Sequence, residues 1–164
     1  MLVGVRLPRE PVDLGEWLAD AAAFEAAGAT ALWVDPAPGL DPLALTAALA
    51  AVTSRSLLVT AATAGPTLDT VARLGRGRLA VVADAAPAAG IEVFRRTPDG
   101  FEHHTGRWVE TPAPSGRAVW RAALRHAADR GCAGLLVPAG PRLLDMLRNP
   151  DDPDQRHDLQ LAVG

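Results

Sequence analysis

The feature that most limits how this chain can fold is residues 28–63, where a buried strand, a capped helix and a second buried strand follow one another. The apolar run at 30–34 is stopped by Asp-Pro-Ala-Pro-Gly, which is typical of a strand that enters a loop. Asp41 and Pro42 then provide an N-cap and a proline at the first helical position. Residues 57–62 are apolar at nearly every position, as in a strand covered on both faces. The stretch therefore predicts a right-handed parallel βαβ unit.

The rest of the first half repeats this unit. A strand at residues 2–7 leads into a helix with capping-box spacing that begins at Asp13. A third helix, capped by Thr67, leads into a fourth strand at 78–83. Residues 1–84 therefore predict four βα steps in phase, with parallel strands.

The pattern changes in the second half of what we expect to be a single domain. Residues 91–96 and 101–105 flank a Pro-Asp-Gly turn and predict a β-hairpin, so we interpret 85–114 as an insertion. Residues 115–164 predict a long helix, a buried strand, a short helix and a last strand. That last strand is indicated by the alternating residues Leu159, Leu161 and Val163.

Composition excludes several classes of function. The net charge of −3 and the pI of about 5.8 give no broad positive field, so we expect neither nucleic acid nor an anionic membrane surface as a partner. No apolar run approaches the roughly 20 residues of a membrane span, and the N-terminus lacks a signal-peptide pattern, which predicts a soluble, cytoplasmic protein. All sixteen basic residues are arginine and tyrosine is absent. A Schiff-base lysine, a P-loop lysine and a tyrosine acid are therefore excluded.

Three segments in the first half resemble the luciferase-like monooxygenase family. They are LADAAAFEAAGATALWVDP, DPLALTAALAAVTSRSLLVTAAT and TLDTVARLGRGRLAVV, in that order. In that family a similar helix leads into a strand that ends in aspartate, a similar Asp-Pro-Leu helix ends in threonine, and a turn similar to residues 74–78 precedes strand four. The resemblance covers residues 2–83. It implies a TIM-like (β/α) barrel that binds a reduced flavin, FMN or the deazaflavin F420, and oxidises or reduces a small organic substrate.

The length of the chain modifies that expectation. A closed eight-stranded (β/α) barrel needs upward of about 200 residues, and this chain has 164. We therefore expect a shortened or incomplete TIM-like barrel with parallel strands and a β-hairpin insertion. Missing strands would leave an open edge and exposed apolar surface, which predicts a homodimer or a heteromeric partner chain.

Candidate site residues lie where a barrel places its functional groups, at the carboxyl ends of the strands. Arg6 can meet a phosphate or a carboxylate, and Asp35 can hold a polar group of the substrate or the ring. Thr60 and Thr63 can hydrogen-bond a flavin edge, and Asp84 ends the fourth strand. The aspartate and threonine residues fit an alternative role equally, that of shaping turns and capping loop backbone.

Two helix starts and a histidine pair complete the candidates. The N–H groups of a helix start attract anions, so Ser115 and Gly140 are candidate phosphate-binding positions. His103 and His104 are adjacent, and neighbouring residues of a regular strand point to opposite faces, so we expect no metal site there. Trp108 is predicted to pack against its own sheet, with a pocket cover or an oligomer contact as alternatives.

The resulting hypothesis is a flavin-dependent oxidoreductase. The alternative is a degenerate, non-catalytic relative that binds a small molecule or a partner protein. A third interpretation, an open doubly wound sheet with unrelated chemistry, would be revealed by the strand order.

Overall fold

Within the residues that the structure describes, eight strands close into a barrel in sequence order and are accompanied by five helices. A computed structural model describes residues 1–62, 64–88 and 90–152, which we call the described chain. The strands are β1 (Leu2–Arg6), β2 (Ala31–Val34), β3 (Leu57–Thr60), β4 (Leu79–Val82), β5 (Glu92–Thr97), β6 (Gly100–His103), β7 (Gly106–Glu110) and β8 (Gly134–Pro138). The helices are α1 (Leu14–Ala26), α2 (Pro42–Val52), α3 (Pro66–Gly75), α4 (Arg117–Asp129) and α5 (Pro141–Arg148).

The first half of the barrel follows the prediction. Neighbouring strands from β1 to β5 are parallel. Helix α1 begins after Asp13, whose side chain accepts a hydrogen bond from the backbone N–H of Glu16. Helix α2 begins after Asp41, which caps it in the same way, with Pro42 at the first helical position. Local capping chemistry thus positions these helices between successive parallel strands.

Two other predicted caps are wrong by one or two positions. Helix α3 follows Gly65 rather than Thr67, because Pro66 occupies the first helical position. Helix α4 follows Gly116 rather than Ser115. At both starts the cap is a glycine, so no side chain caps the first-turn N–H groups.

Two tight hairpins explain how a short chain completes a barrel. Strand β6 is antiparallel to both β5 and β7, with Pro98 and Asp99 at one turn and His104 and Thr105 at the other. A parallel crossover takes a dozen or more residues, and each of these turns replaces one. Strand β8 then pairs in parallel with both β7 and β1.

The predicted fold class is therefore confirmed in outline and corrected in detail. The molecule is an α/β barrel with two hairpins that share β6, so the expectation of parallel strands is wrong for this part of the sheet, and the barrel is closed. The expectation of an incomplete barrel with an open edge is wrong, because β8 pairs with β1. Because this edge is paired, it gives no reason to expect a partner chain, and dimerisation stays a prediction. The strand predicted at Leu159, Leu161 and Val163 lies outside the described residues.

The interior of the barrel is filled by side chains from alternate strand positions. Trp108 belongs to β7, a strand that was not predicted from the sequence. It is 2% exposed and lies among these side chains, which confirms the prediction that it packs against its own sheet. Gly134 on β8 makes room for its indole, since a Cβ there would lie 2.6 Å from the ring. The interior set is Ala31, Trp33, Val59, Ala80, Phe94, Phe101, Trp108 and Leu136.

The opposite faces of the strands form a second core with the helices. Trp17 of α1 and Trp120 of α4, both predicted to face inward, are 4% and 5% exposed. None of the helices in the described chain has the length and apolar character needed to cross a membrane.

Candidate functional site

Side chains of opposite charge meet at the carboxyl end of the barrel, where the parallel strands finish. Arg6 ends β1, Asp35 directly follows β2 and Glu110 ends β7. Nη2 and Nη1 of Arg6 donate hydrogen bonds to Oε1 and Oε2 of Glu110 at 2.7 and 3.4 Å. Nε of Arg6 lies 3.2 Å from Oδ2 of Asp35. One guanidinium therefore joins three strand ends, through a forked pair with one carboxylate and an ion pair with another.

The charges of this cluster are balanced. Nη1 of Arg96, from β5, lies 3.9 Å from Oε1 of Glu110, so two arginines face the carboxylates of Asp35 and Glu110. Chiefly through its hydrogen bond, Arg6 lowers the pKa of Glu110. Burial lowers the pKa of Arg6, but the hydrogen bond to Glu110 and the charge of Asp35 outweigh burial and raise it. Arg6 and Glu110 thus stabilise each other in their charged forms.

The remaining predicted strand-end residues do not join this cluster. Thr60 is 1% exposed, and its hydroxyl donates to the carbonyl of Val34 at 3.4 Å. Its neighbour Val59 belongs to the barrel interior, so Thr60 points away from the interior. Asp84 is exposed, and its carbonyl accepts a hydrogen bond from Arg95 at 2.9 Å. Thr63 lies outside the described residues.

The two predicted helix starts lie next to each other. Nη1 of Arg142, the second residue of α5, donates to the carbonyl of Ser115 at 3.2 Å, just before α4 begins. Both helices have a glycine N-cap, Gly116 and Gly140, without a side-chain hydrogen bond. Uncapped first-turn N–H groups carry the positive end of each helix dipole. Through Arg142, the start of α5 thus contacts the residue that precedes the N-cap of α4.

Two cavities adjoin this end of the molecule. One, of about 300 Å³, is mainly apolar and lies beside Gly140, with Asp20 contributing a carboxylate to its lining. The other, of about 480 Å³, lies between the β5–β6 turn, β7 and α4. Its lining includes Glu110, His126 and Cys132. Both volumes fall in the range of small-molecule sites.

The histidine pair lies at the opposite, amino end of the barrel, and its geometry differs from the prediction. Strand β6 ends at His103, so His104 belongs to a turn and does not alternate across the sheet. Both imidazoles approach Glu92 at the start of β5. Burial lowers the pKa of His103, and the hydrogen bond to Glu92 only partly opposes this. The expectation that the two rings point to opposite faces is wrong.

Four residues of these clusters were missed from the sequence, and one of them is Arg96 near the end of β5. Glu110 and Glu92 each end or begin a strand, and Arg142 directly follows a helix-starting proline. The pairing of β5 with β6 brings Glu92 to the histidines, and the closure of the barrel through β7, β8 and β1 brings Glu110 to Arg6. A search for charged residues at every strand end would have found Glu110 only if β7 had been predicted as a strand.

No family model matches this chain, and no curated protein matches it.

Proposed function

We propose that this protein is a shortened TIM-like barrel that binds FMN or F420 at the carboxyl end of its strands and catalyses flavin-dependent oxidoreduction of a small organic substrate. The resemblance of residues 2–83 to luciferase-like monooxygenases motivates the cofactor. The observation that carries the proposal is the junction of the α4 and α5 starts with Arg142, because it offers a phosphate uncapped N–H groups and a cation together.

The position of this junction supports a phosphate as the ligand. In (β/α) barrels the loops after the seventh and eighth strands frequently bind phosphate with the start of a short helix. Here the same two loops end at Gly116 and Gly140, and α5 is a short helix of eight residues. Both FMN and F420 carry phosphate. Asp20, in the cavity beside Gly140, works against an anion on that side.

The charged cluster at the strand ends would serve the polar edge of the bound ring. Arg6 can donate to a carbonyl oxygen, and Asp35 can accept from a ring N–H. Both side chains are partly accessible, at 25% and 31% of their surface. To bind the ring, Arg6 and Asp35 would have to replace part of their contact with each other by contacts with the ligand.

The test is a binding titration. FMN, F420 and riboflavin are added to the purified protein while tryptophan fluorescence and the absorbance of the ring are followed. We expect saturable binding of FMN or F420 near one per chain. Riboflavin, which lacks the phosphate, should bind at least about tenfold more weakly than FMN if FMN is the cofactor.

A variant pair locates the phosphate. Arg142→Gln should weaken cofactor binding by about tenfold, because it removes a charge-assisted contact. Arg148→Gln, at the other end of the same helix and also exposed, is the matched control and should bind as the wild type does. No saturable binding of either cofactor, or an equal loss in both variants, would contradict the proposal.

A second candidate function, non-catalytic binding of a small molecule or a partner protein, is favoured by one observation. The guanidinium of Arg6 is already bound by Glu110 and Asp35, so the strand ends present a neutralised cluster. Under this function the protein binds neither cofactor, and the 480 Å³ cavity between β7 and α4 becomes the first place to search for a ligand. Crystals soaked with a fragment library would show whether that cavity is occupied.

A further inference from the structure

The amino end of the barrel holds three side chains with metal-ligating atoms close together. Nε2 of His103 lies 2.7 Å from Oε2 of Glu92, and Nδ1 of His104 lies 3.6 Å from the same oxygen. The three ligand atoms all lie within 4.8 Å of one another. In a tetrahedral zinc site with bonds of about 2.0–2.1 Å, two ligand atoms lie about 3.3 Å apart. The two distances to Oε2 of Glu92, 2.7 and 3.6 Å, lie on either side of that separation.

We propose that Glu92, His103 and His104 form a binding site for a divalent transition metal, with Zn²⁺ as the fitting ion. Two imidazoles and one carboxylate are the protein ligands of many zinc sites that keep a position open for water. The same set also suits Fe²⁺, Co²⁺ or Ni²⁺.

The surroundings orient the buried ligand. The imidazole of His103 is stacked on Phe94, with ring centroids 4.1 Å apart and planes 9° apart. Its other nitrogen, Nδ1, lies 2.9 Å from the hydroxyl of Thr105, which also accepts a hydrogen bond from the indole of Trp108. The backbone N–H of Thr105 also donates to Nδ1 at 3.4 Å, so Thr105 holds the ring through the nitrogen that would not bind the metal. Metal-binding histidines are commonly oriented through their second ring nitrogen. Nε2 of His103 is thereby directed at Glu92 and at the ion.

Access and charge fit a cation. The three ligands line a cavity of about 540 Å³ together with Arg95 and Glu102. His104 is 66% exposed and Glu92 34% exposed, so an ion can enter and keep water ligands. Two carboxylates against one guanidinium give the cavity a net negative charge when the histidines are neutral.

Binding is tested with Zn²⁺ by isothermal titration calorimetry on the full chain without a histidine tag. The chain has four histidines, so a background variant with His126→Ala and His157→Ala leaves only the candidate pair. We expect saturable binding of one Zn²⁺ per chain in the wild type and in this background. Binding that disappears in the background would overturn the proposal, as would an absence of saturable binding in the wild type.

Single substitutions then identify the ligands. His104→Ala and Glu92→Gln should each weaken Zn²⁺ binding at least about tenfold. Both positions are partly exposed, so both variants should fold, which far-UV circular dichroism verifies. Unchanged affinity in both variants would refute the site. In the ¹⁵N spectrum of the imidazoles, Zn²⁺ should shift Nε2 of His103 and Nδ1 of His104, and shifts at the other two ring nitrogens instead would contradict the geometry.

Discussion

The carboxylate of Glu25 offers the most direct test of how this fold is held together. Glu25 lies near the end of α1 and is 7% exposed. Its Oε1 accepts a hydrogen bond from the backbone N–H of Ser54 at 2.8 Å. Its Oε2 accepts from the N–H groups of Arg55 and Ser56 at 2.9 and 2.7 Å. One side chain therefore binds α1 to the loop that leads from α2 into β3.

The size of this contribution follows from the pKa of Glu25. Burial alone would raise the pKa, but the backbone donors of Ser56, Ser54 and Arg55 outweigh it and lower the pKa from 4.5 to about 2. That difference corresponds to about 3 kcal/mol of folding free energy. Because the folded-state pKa is depressed, the contribution is present above pH 4.5 and is lost as the pH falls towards 2.

We expect Glu25→Gln to lower the free energy of unfolding by about 3 kcal/mol at pH 7, since the amide loses the negative charge and replaces one of the two acceptor oxygens with a donor. The difference between wild type and variant should shrink to about 1 kcal/mol at pH 3. Urea unfolding followed by tryptophan fluorescence measures both values, and at pH 7 the midpoint should fall by roughly 1–3 M.

The control is Glu10→Gln, which changes an exposed glutamate in a loop and should leave the midpoint nearly unchanged. A loss below about 1 kcal/mol at pH 7 would refute the reasoning, as would a loss that does not change between pH 7 and pH 3.

Two further predictions concern the barrel itself. Gly134→Ala should destabilise the protein by about 1–3 kcal/mol, because the new Cβ would overlap the indole inside the barrel. Gly75→Ala is the control, since Gly75 lies in helix α3 and a Cβ there makes only an ordinary contact at 3.8 Å, and equal melting temperatures for the two variants would contradict the packing argument. Arg6→Gln should raise the pKa of Glu110 towards its ordinary value, because it removes the hydrogen bond that lowers it. Carboxyl ¹³C chemical shifts titrated with pH report this change, and an unmoved pKa would show that Arg6 is not its cause.

Much of the first half could be predicted because its signals are local. Asp13 and Asp41 cap the helices that follow them, and apolar runs mark the strands between. The second half depends on pairing between distant segments. The segment Gly106–Glu110 alternates too briefly to identify a strand, and only its pairing with β6 and β8 shows Trp108 inside the barrel.

The candidate sites likewise contain some residues that local sequence signals predict and others whose contacts depend on the tertiary structure. Arg6 and Asp35 could be predicted from their positions at the ends of apolar runs, and the structure brings them together. Glu110 lies 104 positions from Arg6, so their contact depends on barrel closure. The geometry of His104 could not be inferred from strand alternation, because the strand ends at residue 103, two residues earlier than the predicted segment 101–105.

The pairing of the first strand with the last has a consequence for the order of folding during synthesis. Residues of β1 from Leu2 to Arg6 pair with residues Gly134 to Pro138. The backbone groups on that edge of β1 therefore remain unpaired until nearly the whole described chain has left the ribosome. Contacts of such long sequence separation slow folding, and an exposed strand edge invites association with other chains in the meantime. The two hairpins reduce this delay, because they connect β5, β6 and β7 without the two crossover helices that would otherwise have to be synthesised before β8. A nascent chain arrested before β8 should therefore be sensitive to protease at β1, and extension past β8 should protect it.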